Sequence, residues 1–162
     1  MTDGAAPDRR ASSASTVLRR GVLGLTGLGI AGTAIELVFL RHWSSATATI
    51  VWIGMVALSI GFVVLLRRPS LRARRIVATL AAIALVISVL GVWFHVQENL
   101  TAGPLDRLFA ARWDTMSALD QWWTAITGEV GPAPTLAPGA LGEISLAMLL
   151  ATIGWSPEAP ND

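Results

Sequence analysis

The sequence has no cysteine, no lysine and no tyrosine, and charged residues make up only 14% of its 162 residues. The absence of cysteine excludes disulfides, thiol catalysis and thiolate metal sites. The absence of lysine excludes a phosphate-binding loop that ends in that residue. Soluble domains carry about 25% charged residues, whereas 53% of this chain is apolar. The composition therefore predicts an integral membrane protein.

Four apolar runs are spaced along the chain. A helix needs about 20 apolar residues to cross the roughly 30 Å hydrocarbon core of a bilayer. The first three runs reach this length, whereas the fourth is short, and there we favour a span over a re-entrant or surface helix. The sequence thus predicts an all-α, four-helix transmembrane bundle at 17–155, between a disordered tail at 1–16 and a polar tail at 156–162. The predicted spans are about 21–40, 47–66, 76–96 and 138–155.

The arginines predict the orientation, because short cytoplasmic loops of membrane proteins carry an excess of basic residues. Nine of the twelve basic residues precede the first run or lie in the turn RRPSLRARR. Such a turn also suits nucleic acid, but its place between two spans favours a cytoplasmic loop and no nucleic acid. We expect an inner (plasma) membrane protein with a cytoplasmic N-terminus, in contact with lipid and other membrane proteins. The topology-determining residues are Arg19, Arg20, Arg67, Arg68, Arg72, Arg74 and Arg75.

The first apolar run has a second interpretation. The stretch LRRGVLGLTGLGIAGTA resembles a twin-arginine or secretory signal that is cleaved from the mature protein. The run continues through IELVFL beyond any cleavage point, as a membrane anchor does. We therefore favour a retained first span, with cleavage as the alternative.

The third run carries small residues at alternating spacings of four and three, which places them on one helical face. Small residues let membrane helices approach closely. We therefore expect this face to be buried and to pack against the glycine-rich first span. The small-residue stripe comprises Val77, Ala81, Ala84, Ser88, Gly91, His95 and Glu98.

Between the third and fourth runs, apolar residues recur at helical spacing over about 104–127, with aspartate and arginine between them. This pattern predicts one amphipathic helix. Its tryptophans favour the membrane–water boundary. We expect an extracytoplasmic helix that lies in the outer interface or caps the bundle. The following stretch, GEVGPAPTLAPG, is too rich in glycine and proline to continue a helix.

The predicted topology brings most titratable side chains of the spans to one depth near the outer surface. Imidazoles and carboxylates bind zinc, iron, manganese or copper, and they also relay protons. The identity of any cofactor stays open, and a divalent metal at Glu36, His95 and Glu98 is one alternative. Asn99 is close enough in sequence to support these ligands by hydrogen bonds. The candidate ligands are Glu36, His95, Glu98, His42 and Glu143.

A structural role explains the same residues, because a polar pair between membrane helices contributes about 1 kcal/mol to packing. The sequence has no nucleophile elbow and no His-Glu-x-x-His motif, and the inner halves of the spans offer only serine and threonine. The sequence favours a non-enzymatic structural or accessory membrane protein with an outer Glu/His cluster. The alternatives are a metal- or small-ligand-binding site at that face and, last, a proton-handling transporter or membrane enzyme.

The order of IELVFLRHW, an arginine-rich turn, GVWFHVQENL and PAPTLAPGAL before a last apolar run resembles small four-span membrane proteins of bacteria. The resemblance covers most of 21–155. It implies a bacterial inner-membrane protein and supports the fourth span. It implies no activity, so no functional residue follows from it.

Overall fold

The computed structural model describes residues 9–67 and 70–153, and all regular structure within them is helical. Three segments are long and apolar enough to cross a membrane: Ser15–Phe39, Ala46–Leu65 and Leu71–Leu105. The prediction of an all-α chain with three long apolar helices is confirmed. The α-helices are α1 (Arg9–Phe39), α2 (Ala46–Leu65), α3 (Leu71–Ala102), α4 (Ala118–Thr127) and α5 (Gly139–Ala151).

The chain ends differ from the predicted tails. Helix α1 begins at Arg9, within the stretch that the sequence assigned to a disordered tail. Residues 1–8, the predicted topology residue Arg68, and the tail at 156–162 lie outside the described residues. Helices α2 and α3 begin at serine caps, whose hydroxyls accept hydrogen bonds from backbone N–H groups of the first turn.

Helix α5 is shorter than the predicted fourth span. It has 13 residues, which corresponds to roughly 20 Å at 1.5 Å per residue and falls short of a bilayer core of about 30 Å. The described part of α5 is therefore too short to cross such a core by itself as a helix. Residues 154–155 of the predicted span lie outside the described residues.

The core of the bundle forms around α5, which contacts α1, α2 and α3. One face of α5 is buried against apolar side chains of its neighbours. Helix α1 joins the bundle through glycines, since a Cβ at Gly29 would lie 2.8 Å from Ile144 of α5 and one at Gly27 would lie 2.9 Å from Phe62 of α2. The buried side chains of this core include Met55, Leu58, Leu65, Val77, Ala81, Ala84, Leu141, Ile144 and Met148.

The small-residue stripe of α3 is buried from Val77 to Ser88, as predicted, whereas Gly91 and His95 are half-buried and Glu98 is exposed. The prediction that α1 covers it is wrong, because α5 and α2 lie against α3 instead. A Cβ at Gly142 of α5 would lie 2.8 Å from Ser88 Oγ. The stripe therefore allows the close approach that small residues permit, but its partners are α5 and α2 rather than α1.

The segment between α3 and α5 forms a cap on the end of the bundle where α1 ends and α2 begins. We call this the cap end, and we call the opposite end, where α2 ends at Leu65 and α3 begins at Leu71, the arginine end. The cap is not the single helix predicted at about 104–127: two 3₁₀ turns (Gly103–Leu105 and Trp113–Thr115) precede the ten-residue α4. The backbone N–H groups of Leu108 and Asp120 donate hydrogen bonds to the side chains of Asp106 and Ser117, and such local bonds favour these turns over a continuous helix.

The cap has its own apolar cluster, separate from the core around α5. Phe109, Trp113 and Val130 are buried there against Val96 of α3. The Trp93 and Trp122 rings lie 5.5 Å apart between centroids, which is a favourable distance for aromatic pairs. The cap is thereby fixed to the last turns of α3.

Candidate functional site

A cavity of about 370 Å³ lies at the cap end of the bundle, between helices α1, α2 and α3 and the segment 132–138. We call it the cap-end cavity. Four of the five candidate residues from the sequence line it, and they come from α1, from the turn after α1 and from α3. These four are Glu36, His42, His95 and Glu98.

The turn after α1 brings His42 to the cavity. Arg41 adopts a left-handed conformation with φ of 48°, which reverses the chain. The indole N–H of Trp52 in α2 donates to the carbonyl of His42 at 2.8 Å and holds the turn against α2. The rings of His42 and His95 then lie 6.5 Å apart between centroids. Residues more than fifty positions apart thus meet at one wall of the cavity.

His95 is held by the segment 132–138. Its Nδ1 lies 2.9 Å from the carbonyl oxygen of Pro134. A carbonyl oxygen only accepts, so Nδ1 carries the hydrogen. In the neutral ring this leaves Nε2 with its lone pair, as a hydrogen-bond acceptor. The hydrogen bond therefore fixes both the position of the ring and the chemical character of its second nitrogen.

Deeper in the bundle, the same segment lies directly against α3. The Ser88 hydroxyl donates to the carbonyl of Pro138 at 2.8 Å. A Cβ at Gly91 would lie 2.8 Å from Cβ of Pro138, so only glycine allows this approach. The segment consists of turns rather than α-helix. Non-helical backbone, from Pro134 to Pro138, therefore lies beside the part of α3 between His95 and Ser88.

Asn99 has a larger role than the support of nearby ligands that the sequence suggested. It is fully buried, and its amide nitrogen donates to the carbonyls of Ala125 at 3.1 Å and Ala133 at 2.9 Å. Its amide oxygen accepts from the backbone N–H of Ala133 at 2.9 Å. The close approach requires Gly131, which has φ of +80° and whose Cβ would lie 2.7 Å from Cα of Asn99. Asn99 therefore joins α3, α4 and the cavity segment.

Glu143 is the candidate residue that the structure does not bring to the cavity. It lies in the second turn of α5 on an exposed face, which it shares with the apolar residues Leu146 and Leu150. Its position depends on where α5 begins. The sequence did not determine the first residue of α5, because the proline-rich stretch before it is compatible with more than one start. The difference makes Glu143 a useful control for the glutamates of the cavity.

The cavity does not have the geometry of a metal centre. Within the described residues, no three histidine, aspartate or glutamate side chains are grouped closely enough to hold a metal ion. Metal ligands must converge to about 2.0–2.3 Å from one point, so a divalent metal held by Glu36, His95 and Glu98 together does not fit. Most of the remaining wall is apolar, with Leu37, Leu40, Ile50, Val51, Phe94 and Leu141.

The sequence did not reveal the contribution of the segment 132–138 to the site. Pro134 and Pro138 supply carbonyls to His95 and Ser88, yet this stretch was interpreted only as a connection that ends a helix. One signal was available: the apolar run after it is too short for a full crossing. A short final run preceded by apolar prolines is consistent with a crossing whose first part is not helical.

Comparison of the chain with protein-family models, curated proteins and solved structures found no match. The functional assignment therefore depends on the geometry of the cap-end cavity.

Proposed function

We propose that this protein is a non-enzymatic integral membrane protein that binds a small ligand in the cap-end cavity. The observation that carries the proposal is that Glu36, His42, His95 and Glu98, from three parts of the chain, line one space of about 370 Å³. Ligand pockets have volumes of about 300–1,000 Å³ and combine apolar walls with a few polar groups. A purely structural polar pair fills the contact between helices, whereas these side chains border an open volume.

The fourth crossing, in this proposal, consists of the segment from Pro134 to Pro138 followed by α5. Two contacts support it: Pro134 meets α3 at His95, and Met148 of α5 lies near Gly61 of α2. The helical part of this crossing, α5, thus begins on the side of the cavity that is nearer the arginine end and continues toward that end. At membrane depth, non-helical backbone is tolerated only where it is buried in protein or lines a water-filled cavity. A crossing that is broken at the cavity therefore favours a binding site there.

We further propose that the arginine end faces the cytoplasm of a bacterial cell and that the cavity opens outward, in the inner membrane. Basic residues near the arginine end support this orientation. Helix α4 exposes Leu119, Trp123 and Ile126 at helical spacing, as an interfacial helix does. The first span is retained in this proposal, because the Arg19 guanidinium donates to the carbonyl of Leu65 at 3.2 Å and α1 packs on α5.

Orientation is tested with single cysteines, which are unique in this cysteine-free chain. We expect Ala111→Cys in the cap to react with a membrane-impermeant maleimide in spheroplasts. Leu71→Cys at the arginine end is expected to react only after the membrane is opened. The reverse pattern would contradict the proposed orientation and leave the cavity itself unchanged.

Ligand binding is tested by thermal unfolding of the purified protein with a panel of small organic cations, anions and neutral compounds. A ligand at about 100 times its Kd stabilises the folded state by about 2.7 kcal/mol. We expect at least one compound to raise the Tm of the wild type. It should not raise the Tm of Ala48→Trp, because Ala48 lines the cavity and the indole would occupy it.

The matched control is Val56→Trp, which places the same indole on an exposed face of α2. This variant should respond to the compound as the wild type does. Equal stabilisation of all three proteins, or no stabilisation by any compound of the panel, would contradict the proposed function.

A further inference from the structure

We infer that the ligand of the cap-end cavity is an organic cation, an amine or quaternary ammonium ion with an apolar body. The inference rests on the proposed function, since it names the ligand class of the same cavity. Three properties of the lining carry it: the sign of its charge, the direction of its hydrogen bonds and the apolar character of its walls.

The charged side chains of the lining have one sign. Glu36 of α1 and Glu98 of α3 both border the cavity with exposed side chains, and none of the described residues that line it is an arginine. A cleft of one sign with low-dielectric walls concentrates counter-ions. The two glutamates therefore favour a positively charged ligand over an anion or a neutral molecule.

Two uncharged polar groups of the lining, His95 and Ser88, are left as hydrogen-bond acceptors. Because His95 Nδ1 donates to Pro134, the neutral ring has only its Nε2 lone pair left. The Ser88 hydroxyl donates its hydrogen to the carbonyl of Pro138, so its oxygen is left as an acceptor. A protonated amine supplies N–H donors and no acceptor, so it matches these two acceptors, whereas a carboxylate or phosphate offers them no donor. A quaternary ammonium ion has no N–H and would be held by the charge of the glutamates and by the apolar and aromatic walls.

The apolar part of the lining selects an organic cation over a metal ion. Leu37, Ile87 and Phe94 border the cavity beside the polar groups, and no metal-binding group of three side chains occurs in the described residues. Aromatic faces attract ammonium ions, with about 0.5–2 kcal/mol per contact. The body of the ligand would contact these side chains, and its charged end would lie between Glu36 and Glu98.

The test measures charge selectivity at a thiol placed in the cavity. Ala48→Cys is labelled in purified protein by two methanethiosulfonates of similar size, one with a trimethylammonium group and one with a sulfonate. The ratio of the two rates is divided by the ratio that the same reagents show with a free uncharged thiol, 2-mercaptoethanol, which corrects for intrinsic reactivity. We expect the cationic reagent to be favoured about tenfold more at Ala48→Cys, which is the low end of electrostatic focusing in clefts.

The charge preference should disappear when Glu36→Gln and Glu98→Gln are added to Ala48→Cys. Adding Glu143→Gln instead removes one glutamate outside the cavity, so the preference should remain. Benzyltrimethylammonium should also slow labelling of Ala48→Cys by a neutral reagent, and benzenesulfonate should not.

The possible results separate the inference from the function on which it rests. Labelling of Ala48→Cys without a charge preference, or with a preference that survives both cavity substitutions, overturns the cation inference and leaves an accessible ligand cavity. No labelling by any reagent overturns both, because a closed cavity binds no ligand from water. Protection by benzenesulfonate alone would assign the cavity to anions and contradict the inference directly.

Discussion

The two ends of this bundle are built from the same kinds of helices, yet one is tightly packed and the other encloses a cavity. Toward the arginine end, Leu58, Leu65, Val77 and Met148 are almost or fully buried against one another. At the cap end, the turns of 132–138 lie against α3, and with parts of α1, α2 and α3 they line the cavity. The difference shows that a segment which changes from turns to helix gives one small bundle both a cavity and a closely packed core.

The largest effect is expected from breaking the junction that holds the cavity segment. Asn99→Leu removes the hydrogen bonds to Ala125 and Ala133, and each buried polar group left without a partner costs about 1–3 kcal/mol. We predict a loss of about 3 kcal/mol or more in unfolding free energy, measured by thermal or denaturant unfolding in detergent.

Gln97→Leu is the matched control for this variant. It exchanges the same kind of side chain in the same helix, at a half-buried position outside the Asn99 network. We expect it to change stability by less than about 1 kcal/mol. An equal loss in the two variants would show that the amide of Asn99 does not hold the cavity segment.

The buried face of α3 could be predicted from particular residues. The periodicity of Val77, Ala81, Ala84 and Ser88 correctly indicated a buried face, because spacing alone determines which helical residues share a side. It could not identify the helix that covers the face, since α1 and α5 both offer small or apolar surfaces. Tertiary packing decides between them.

The position of a candidate residue could be predicted where the register of one helix determines it. It could not be predicted where a turn determines the residue at which the helix begins. His95 and Glu98 follow from the register of α3, and both line the cavity. Glu143 depends on where α5 begins, which the proline-rich entry did not reveal. The cap was predicted as one helix because its apolar spacing is helical. The side chain of Asp106 instead accepts from the backbone of Leu108 in a turn, and that of Ser117 accepts from Asp120 where α4 begins.

The packed end is tested by a substitution of intermediate effect. A Cβ at Gly61 would meet the buried end of Met148, so Gly61→Leu overfills the core and should cost about 2 kcal/mol. Gly24→Leu adds the same side chain to α1 where nothing lies within 4 Å of a Cβ. We expect the control to change stability by no more than about 1 kcal/mol. Thermal unfolding of the two variants side by side measures the difference, and equal losses would contradict the packing of α5 against α2.

The smallest effect is expected at the floor of the cavity. Ser88→Ala removes the hydrogen bond from α3 to Pro138 and should cost about 1 kcal/mol. Ser59→Ala is the control, because its hydroxyl bonds to Met55 within its own helix and such a bond adds little stability. Thermal unfolding that finds both substitutions neutral would mean that Ser88 does not hold the cavity segment against α3.

The contrast between an open and a dry end is tested most directly by thiol accessibility. Four single cysteines are compared, two at cavity-lining positions (Ala48→Cys and Ala137→Cys) and two at buried core positions (Ala57→Cys and Ala81→Cys). Labelling of the folded protein by a small neutral maleimide should proceed readily at the first pair and only after unfolding at the second. Equal protection of all four positions would contradict the account, because the cap end would then be as tightly packed as the arginine end.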